Sequence, residues 1–268
     1  MPYYFRKLLL FLLIAVASET AFAALPPVFH IFYEEGAKPL PSEILGMIEQ
    51  ADQEYLSLLQ IPADSMYADV SIFIHIYDRP TIDASLENTR YESMWSNGML
   101  VARLYILHPD CFTGEFKDAV GALMDDRYYS KLVLHEISTA YLEYAMYQNS
   151  ALRFDKYPAW FVQGLEEWMG IEFSDPYWRQ TGYRQYIRQS ADTSAIHFEY
   201  GIHVENPYRD GFTLVRFMAD QFGWDSILRI LYTREHHFGA ALQTAVECSY
   251  AEFQDKYANW KKRLQQHF

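Results

Sequence analysis

The sequence predicts a single α+β domain, in which a small mixed sheet is followed by a lobe of helices. Short runs of β-branched and aromatic residues lie before residue 108, whereas apolar residues recur at helical spacing after residue 131. The chain has 268 residues, half of them hydrophobic, which is enough for one sizeable core. We see no repeat or linker. We therefore expect one domain over residues 24–268, mostly sheet in 24–130 and helical in 131–268.

The N-terminus has the features of a secretory signal peptide. Arg6 and Lys7 precede the apolar run 8–17, and residues 21–23 (Ala-Phe-Ala) form a small-x-small cleavage site. The apolar run is too short to span a membrane. We expect residues 1–23 to be removed, giving an exported protein, periplasmic or secreted, with no stable membrane insertion after cleavage.

Charge and cysteine content limit the partners and the covalent framework. The formal net charge is −13, which disfavours nucleic acids and anionic membranes, since both attract basic surfaces. Cys111 and Cys248 are the two cysteines of the chain. In an oxidising compartment they could form a disulfide or stay separate thiols, and the sequence leaves both open.

The sheet half is predicted from dense apolar runs and their breaks. Residues 100–107 alternate weakly and end at Pro109, which favours an edge strand. Residues 89–97 are polar and aromatic without a clear period, and we expect a loop there. Strands are predicted over residues 27–33, 70–76 and 100–107, and helices over 41–59 and 116–126.

The helical half begins with a helix that contains two adjacent polar residues. From residue 131, apolar residues recur three and four apart, and His135 and Glu136 interrupt them. Pro158 suits the first turn of a second helix, because its φ is fixed and it lacks an N–H. Later helices are predicted over residues 173–188, 211–222, 224–234, 238–245 and 249–264, with Glu252 placed for a capping box.

The segment His135-Glu136-x-x-Thr139 matches half of a known zinc-binding motif. In H-E-x-x-H, two histidines four apart share a helix face and bind zinc, and the glutamate is the general base. Here Thr139 stands at the second histidine position, and a hydroxyl is a poor zinc ligand. The motif therefore keeps one histidine and the base.

A second motif follows in the next helix, where residues 158–168 read PAWFVQGLEEW. Together the two motifs resemble the peptidase MA-like family, the gluzincin zinc metallopeptidases, whose pattern is H-E-x-x-H followed by P-x-W-[LF]-x-E-G-[LF]-A-E-[YW]. The family's third zinc ligand is the glutamate before the glycine, and Gln163 occupies that position here. The resemblance implies a degenerate member in which two of three ligand positions, Thr139 and Gln163, are substituted.

The resemblance continues in the surrounding segments and implies a thermolysin-like fold. Residues 68–76 resemble the family's early strand, and residues 100–107 the edge strand over the substrate cleft. The cleft is then expected between residues 100–107 and the helix carrying His135. Residues 208–217 resemble a later helix, where Tyr208 is either near an oxyanion or packed in the core.

These observations predict an exported metallopeptidase-like protein that is a non-catalytic pseudoenzyme and not an active enzyme. With a vestigial ligand at His135, no zinc or other cofactor is expected, and Glu136 lacks an acidified water to deprotonate. A peptide or protein segment could still bind in the cleft by adding a strand to its edge. The substrate, partner and oligomeric state are left open.

The alternative is an active zinc-dependent hydrolase that uses relocated ligands. His197 and His203 lie before the helix of Tyr208 and could join His135, although ordinary polar loop histidines are the favoured interpretation. Nearby carboxylates are assigned simpler roles. We expect Glu166 to face solvent, Glu143 to be a surface charge, and Glu167 to be a structural or surface carboxylate.

Overall fold

A four-stranded mixed sheet forms the first half of the fold. The computed structural model describes residues 25–34, 37–77, 89–108, 126–174, 176–189, 196–197 and 202–265. The strands are β1 (Phe29–Tyr33), β2 (Val70–Tyr77), β3 (Thr89–Ser96) and β4 (Met99–Leu107). Their order in the sheet is β1-β2-β4-β3, with β1 and β4 parallel to β2 and with β3 antiparallel to β4.

Strand β3 corrects two expectations. The predicted loop over residues 89–97 is a strand, and it pairs with β4 through a two-residue turn. Asn97 and Gly98 have φ of 54° and 82°, the positive values that a tight hairpin turn of this kind requires. The predicted edge strand, β4, consequently lies between β2 and β3, and β3 is one of the two outer strands of the described sheet.

One face of the sheet packs against helices. Val70, Ile72, Ile74 and Ile76 of β2 are buried, whereas the residues between them are half-buried, as expected for a strand covered more fully on one side. The predicted first helix, α1 (Ser42–Leu58), contributes the buried Tyr55, whose hydroxyl donates to the carbonyl of Leu134 at 3.0 Å. A short helix, α2 (Ala63–Asp69), leads into β2.

The second half is helical, as predicted, and α3 is its centre. This helix contacts β2, β3, β4, α1 and α4, and its predicted apolar face is buried. Ser249 and Glu252 form the predicted capping box at the start of the last helix, through distances of 2.8 and 3.3 Å. The helices are α3 (Asp126–Asn149), α4 (Ala159–Glu172), α5 (Pro176–Gln189), α6 (Arg209–Phe222), α7 (Trp224–Leu231), α8 (Phe238–Val246) and α9 (Tyr250–Gln265).

Three glycines let the central helices approach backbone to backbone. A Cβ on Gly164 of α4 would lie 2.4 Å from the carbonyl carbon of Gly211 in α6, and one on Gly211 would lie 2.2 Å from the carbonyl oxygen of Trp160. At the α3–α4 contact, a Cβ on Gly170 would lie 3.1 Å from the Cβ of His135. These contacts fix α4 between α3 and α6.

Several sequence predictions concern residues outside the described ranges. They include the signal peptide over 1–23, most of the helix predicted over 116–126, and Cys111. Cys248 is half-buried at the end of α8, so the choice between a disulfide and two thiols stays open. Within the described ranges, no helix is long and apolar enough to cross a membrane. A two-stranded ribbon, β5 (Ile196–His197) with β6 (His203–Val204), precedes α6.

Candidate functional site

The imidazole of His135 lies between two carboxylates of the neighbouring helix. His135 projects from α3 and is only 6% exposed. Its Nδ1 is 2.8 Å from Oε2 of Glu167, and its Nε2 is 3.6 Å from Oε2 of Glu166. Both ring nitrogens therefore face acidic oxygens contributed by α4.

Glu167 is the better partnered of the two glutamates. Its Oε1 accepts hydrogen bonds from the ammonium group of Lys131 and from the hydroxyl of Tyr186, while its Oε2 faces His135. Burial alone would raise its pKa, but the charge of Lys131 and the hydrogen bond and charge of His135 outweigh burial and hold the pKa well below the usual range. Glu167 is thus an ionised, structural carboxylate, one of the two roles expected for it.

Glu166 is buried, which contradicts its expected exposure to solvent. It is 1% exposed, and the Thr139 hydroxyl donates a hydrogen bond to it. Burial and the charges of Glu136 and Glu167 raise its pKa to about 7, against the opposing effects of His135 and Thr139. The reason for its burial is that α4 is enclosed almost all round, so that residues 164–171 are all buried.

The same surroundings act on the charge of His135. Burial lowers the pKa of an imidazole, but the hydrogen bond and charge of Glu167 and the charges of Glu166 and Glu136 overcome burial and raise it. Protonation places an N–H on each ring nitrogen, one towards each glutamate. The imidazolium and Lys131 are then the two cations beside Glu167 inside the core, and Glu166 faces the other side of the imidazole ring.

The donor set around His135 does not fit zinc. Thr139 is engaged with Glu166, and Gln163 is half-buried one turn before Glu166. Over the part of the chain that the structure describes, no three His, Cys, Asp or Glu side chains converge to hold a metal ion. Of the relocated set, His203 is exposed, and its backbone pairs with that of His197 in the β5–β6 ribbon.

Two further glutamates of α3 face strand β3. Glu136, the general-base position, is half-buried and accepts a hydrogen bond from the Thr89 hydroxyl at 2.5 Å. Glu143, expected at the surface, is buried and accepts hydrogen bonds from β3 residues. The donors are Tyr91 at 2.8 Å, Ser93 at 3.0 Å and Trp95 at 2.7 Å. The strand that supplies these hydrogen-bond donors beside the candidate site is β3, whereas the sequence predicted the cleft beside residues 100–107.

Tyr208 lies near His135, at the start of α6. The two ring centroids are 5.9 Å apart, and Tyr208 is 44% exposed. The exposure removes the alternative of a packed core tyrosine. Tyr208 thus borders the solvent side of the candidate site, next to the imidazole.

The sequence motifs identified His135, Glu136, Thr139 and Tyr208 as neighbours, but they missed the acidic environment. Glu166, Lys131 and Tyr186 were not predicted as partners of His135 or Glu167. The adjacent Glu-Glu pair in an otherwise apolar helix was the available signal, since charges are buried only with partners.

Comparison with known proteins adds no assignment. No model of a known protein family matches the chain, and a search of curated proteins finds no significant match.

Proposed function

We propose that the protein is an exported, non-catalytic peptide-binding protein built on a gluzincin-like fold. The mixed sheet, the His-Glu pair on α3 and the following Gln-Gly-Leu-Glu-Glu helix support the relationship to the peptidase MA-like family. The two motifs pack directly on each other, as a shared active-site ancestry requires, and Tyr208 closes the same region.

One observation carries the non-catalytic part of the proposal: both nitrogens of the His135 ring face glutamates. A metal ligand needs a free lone pair on one ring nitrogen, whereas an imidazolium donates from both. The raised pKa of His135 favours the imidazolium. A proton on Nε2 then occupies the position from which the imidazole of a zinc enzyme would bind its ion.

The peptide-binding part rests on strand β3. In the described sheet, β3 pairs with β4 on one side only, so its other edge offers backbone N–H and C=O groups to an added strand. This strand lies against α3 beside Glu136, next to the candidate site. An extended peptide is the ligand whose chemistry matches such an edge, because main-chain hydrogen bonds supply affinity for many sequences.

The first experiment measures metal and hydrolysis. The protein lacking residues 1–23 is purified without chelator, and bound zinc is measured per chain together with cleavage of a mixture of peptides. We expect substoichiometric zinc and the same absence of cleavage in the wild type and in Glu136→Gln. Stoichiometric zinc that is lost in His135→Ala, or cleavage that is lost in Glu136→Gln, would overturn the proposal in favour of a zinc hydrolase.

The second experiment measures binding. Ten-residue peptides of random sequence are selected on phage, and the selected peptides are synthesised with and without N-methyl groups at alternate residues. We expect N-methylation in one alternation to abolish binding and in the other to leave it, because an added strand pairs through every second residue. Binding that is indifferent to both methylation patterns would exclude strand addition.

A further inference from the structure

The inward-facing side of β3 is joined to α3 by carboxylates along its whole length. Thr89 donates to Glu136, and Tyr91, Ser93 and Trp95 all donate to Glu143. These four residues are every second residue of the strand, so each inward side chain bonds to a helix carboxylate. The carboxylates lie seven residues apart on α3, which is two helical turns and therefore one helix face.

Glu143 accounts for most of this attachment. Its Oε2 accepts from the Tyr91 hydroxyl, and its Oε1 accepts from the Ser93 hydroxyl and the Trp95 indole. Glu143 is buried, so its oxygens depend on these donors in place of water. Hydrogen bonds to an ionised carboxylate are among the stronger ones, and three to one side chain fix its position.

Aromatic stacking reinforces the same end of the strand. The Trp95 ring lies 3.6 Å from the Tyr147 ring and 6.4 Å from the Tyr144 ring, measured between centroids, with interplanar angles of 20° and 7°. Tyr144 and Tyr147 follow Glu143 on the helix. Tyr147 is 55% exposed, so this contact lies at the surface where β3 meets solvent.

From these contacts we infer that Glu143 is a positioning residue that holds β3 as a preformed edge for an incoming peptide strand. The role in peptide binding rests on the proposed function, whereas the attachment of β3 to α3 through Glu143 does not depend on it. Edge strands with one neighbour are prone to local opening, and an opened strand must be ordered again at a cost when a ligand pairs with it. Glu143 reduces that cost by fixing Tyr91, Ser93 and Trp95 to a long buried helix.

The experiment measures hydrogen exchange of the β3 amides in the free protein, for the wild type, Glu143→Ala and Glu143→Gln. The amide of Gln offers one acceptor oxygen and turns an N–H group towards donors, so it cannot replace the carboxylate. We expect the backbone amides of residues 89–96 that donate to β4 to exchange about tenfold faster or more in both variants, while the central amides of α3 stay protected. The matched control is Glu92→Gln on the same strand, because Glu92 is part-exposed and bonds to Arg90 on the opposite face.

Milder variants keep the test decisive if Glu143→Ala fails to fold. Tyr91→Phe, Ser93→Ala and Trp95→Phe each remove one donor and leave the carboxylate in place. Trp95→Phe also reduces the stacking on Tyr147, so Tyr91→Phe and Ser93→Ala test the hydrogen bonds alone. We expect each to accelerate exchange of residues 89–96 by a smaller factor. Exchange within about twofold of wild type for all three, or for a folded Glu143→Ala, would overturn the inference.

Peptide binding separates this inference from the proposed function. If the phage-selected peptides bind the wild type, their affinity should fall about tenfold or more in Glu143→Gln and stay unchanged in Glu92→Gln. A peptide whose affinity is the same for the wild type and for Glu143→Gln would overturn the positioning role. If no peptide binds any variant, the proposed function fails, and the exchange rates still decide whether Glu143 holds the strand.

Discussion

Replacing Glu166 by glutamine should remove a large part of the pH dependence of stability between pH 5 and 8. The folded protein raises the pKa of Glu166 from its ordinary value of 4.5 to about 7. Between these two values the unfolded chain releases this proton and the folded protein keeps it, so stability falls as the pH rises. At 1.36 kcal/mol per pKa unit, the loss attributable to Glu166 is roughly 3 kcal/mol.

His135 and Glu167, the neighbours of Glu166, change the stability of the protein over different pH ranges. The raised pKa of His135 works in the same direction, because its favourable charge is lost as the pH rises above 6.5 towards the folded value. The lowered pKa of Glu167 gives stability that is present above 4.5 and is lost only as the pH falls below it. Measurements between pH 5 and 8 therefore avoid Glu167. Glu166→Gln removes one of the charges that raise the pKa of His135, but the hydrogen bond and charge of Glu167 and the charge of Glu136 remain.

The assay is urea unfolding at pH 5, 6, 7 and 8 for the wild type, Glu166→Gln and the control Glu172→Gln. Glu172 lies on the same helix and is part-exposed beside Arg179. We expect the free energy of unfolding to fall by several kcal/mol across the range in the wild type and the control, and by about 3 kcal/mol less in Glu166→Gln. Equal slopes in all three proteins would refute the argument that Glu166 is held protonated by its surroundings.

Two further predictions concern the helix contact and the lost ligands. Gly164→Ala should destabilise the protein by about 1–3 kcal/mol, because its Cβ meets the backbone of Gly211. The control Gly46→Ala on α1 places its Cβ in open space and should stabilise the protein slightly. Thermal unfolding of both variants measures the two effects. Zinc binding measured by calorimetry should appear in Thr139→His with Gln163→Glu and not in either single variant, since three protein ligands are then available. Zinc bound by a single variant, or an unchanged unfolding temperature in Gly164→Ala, would contradict these expectations.

The sequence was informative where burial follows periodicity. The buried run of β2 and the capping box of α9 were predicted near their observed bounds, since each carries a local signal. The helix α3 was also predicted, but it begins at Asp126 and not at residue 131. The coarse α+β architecture followed from their order. The gluzincin relationship is not decided by such local signals and stays a proposal.

Strand β3 was missed because its inward face is polar. A strand facing an apolar helix would alternate, but Thr89 and Ser93 face carboxylates and so resemble loop residues. The Asn97-Gly98 pair before β4 was the overlooked signal, as it is typical of a two-residue hairpin turn. Placing β3 correctly would also have moved the edge of the sheet.

Glu166 and Glu143 were misplaced for a related reason. Each was assigned to solvent from its charge, whereas its partners come from residues distant in sequence: His135 for Glu166, and residues 91–95 of β3 for Glu143. Pairing of buried charges depends on tertiary contacts, which no window of a single sequence contains.

The contact between Gly164 and Gly211 fixes the spacing of two helices without using any side chain. Main-chain atoms, with no intervening layer of side chains, set the distance between α4 and α6. Residue 163 stands next to Gly164, so the spacing of the helix that carries it depends on the two glycines and not on the side chain at 163. The two glycines are therefore the positions at which a larger side chain would move α4 as a whole, together with Glu166 and Glu167.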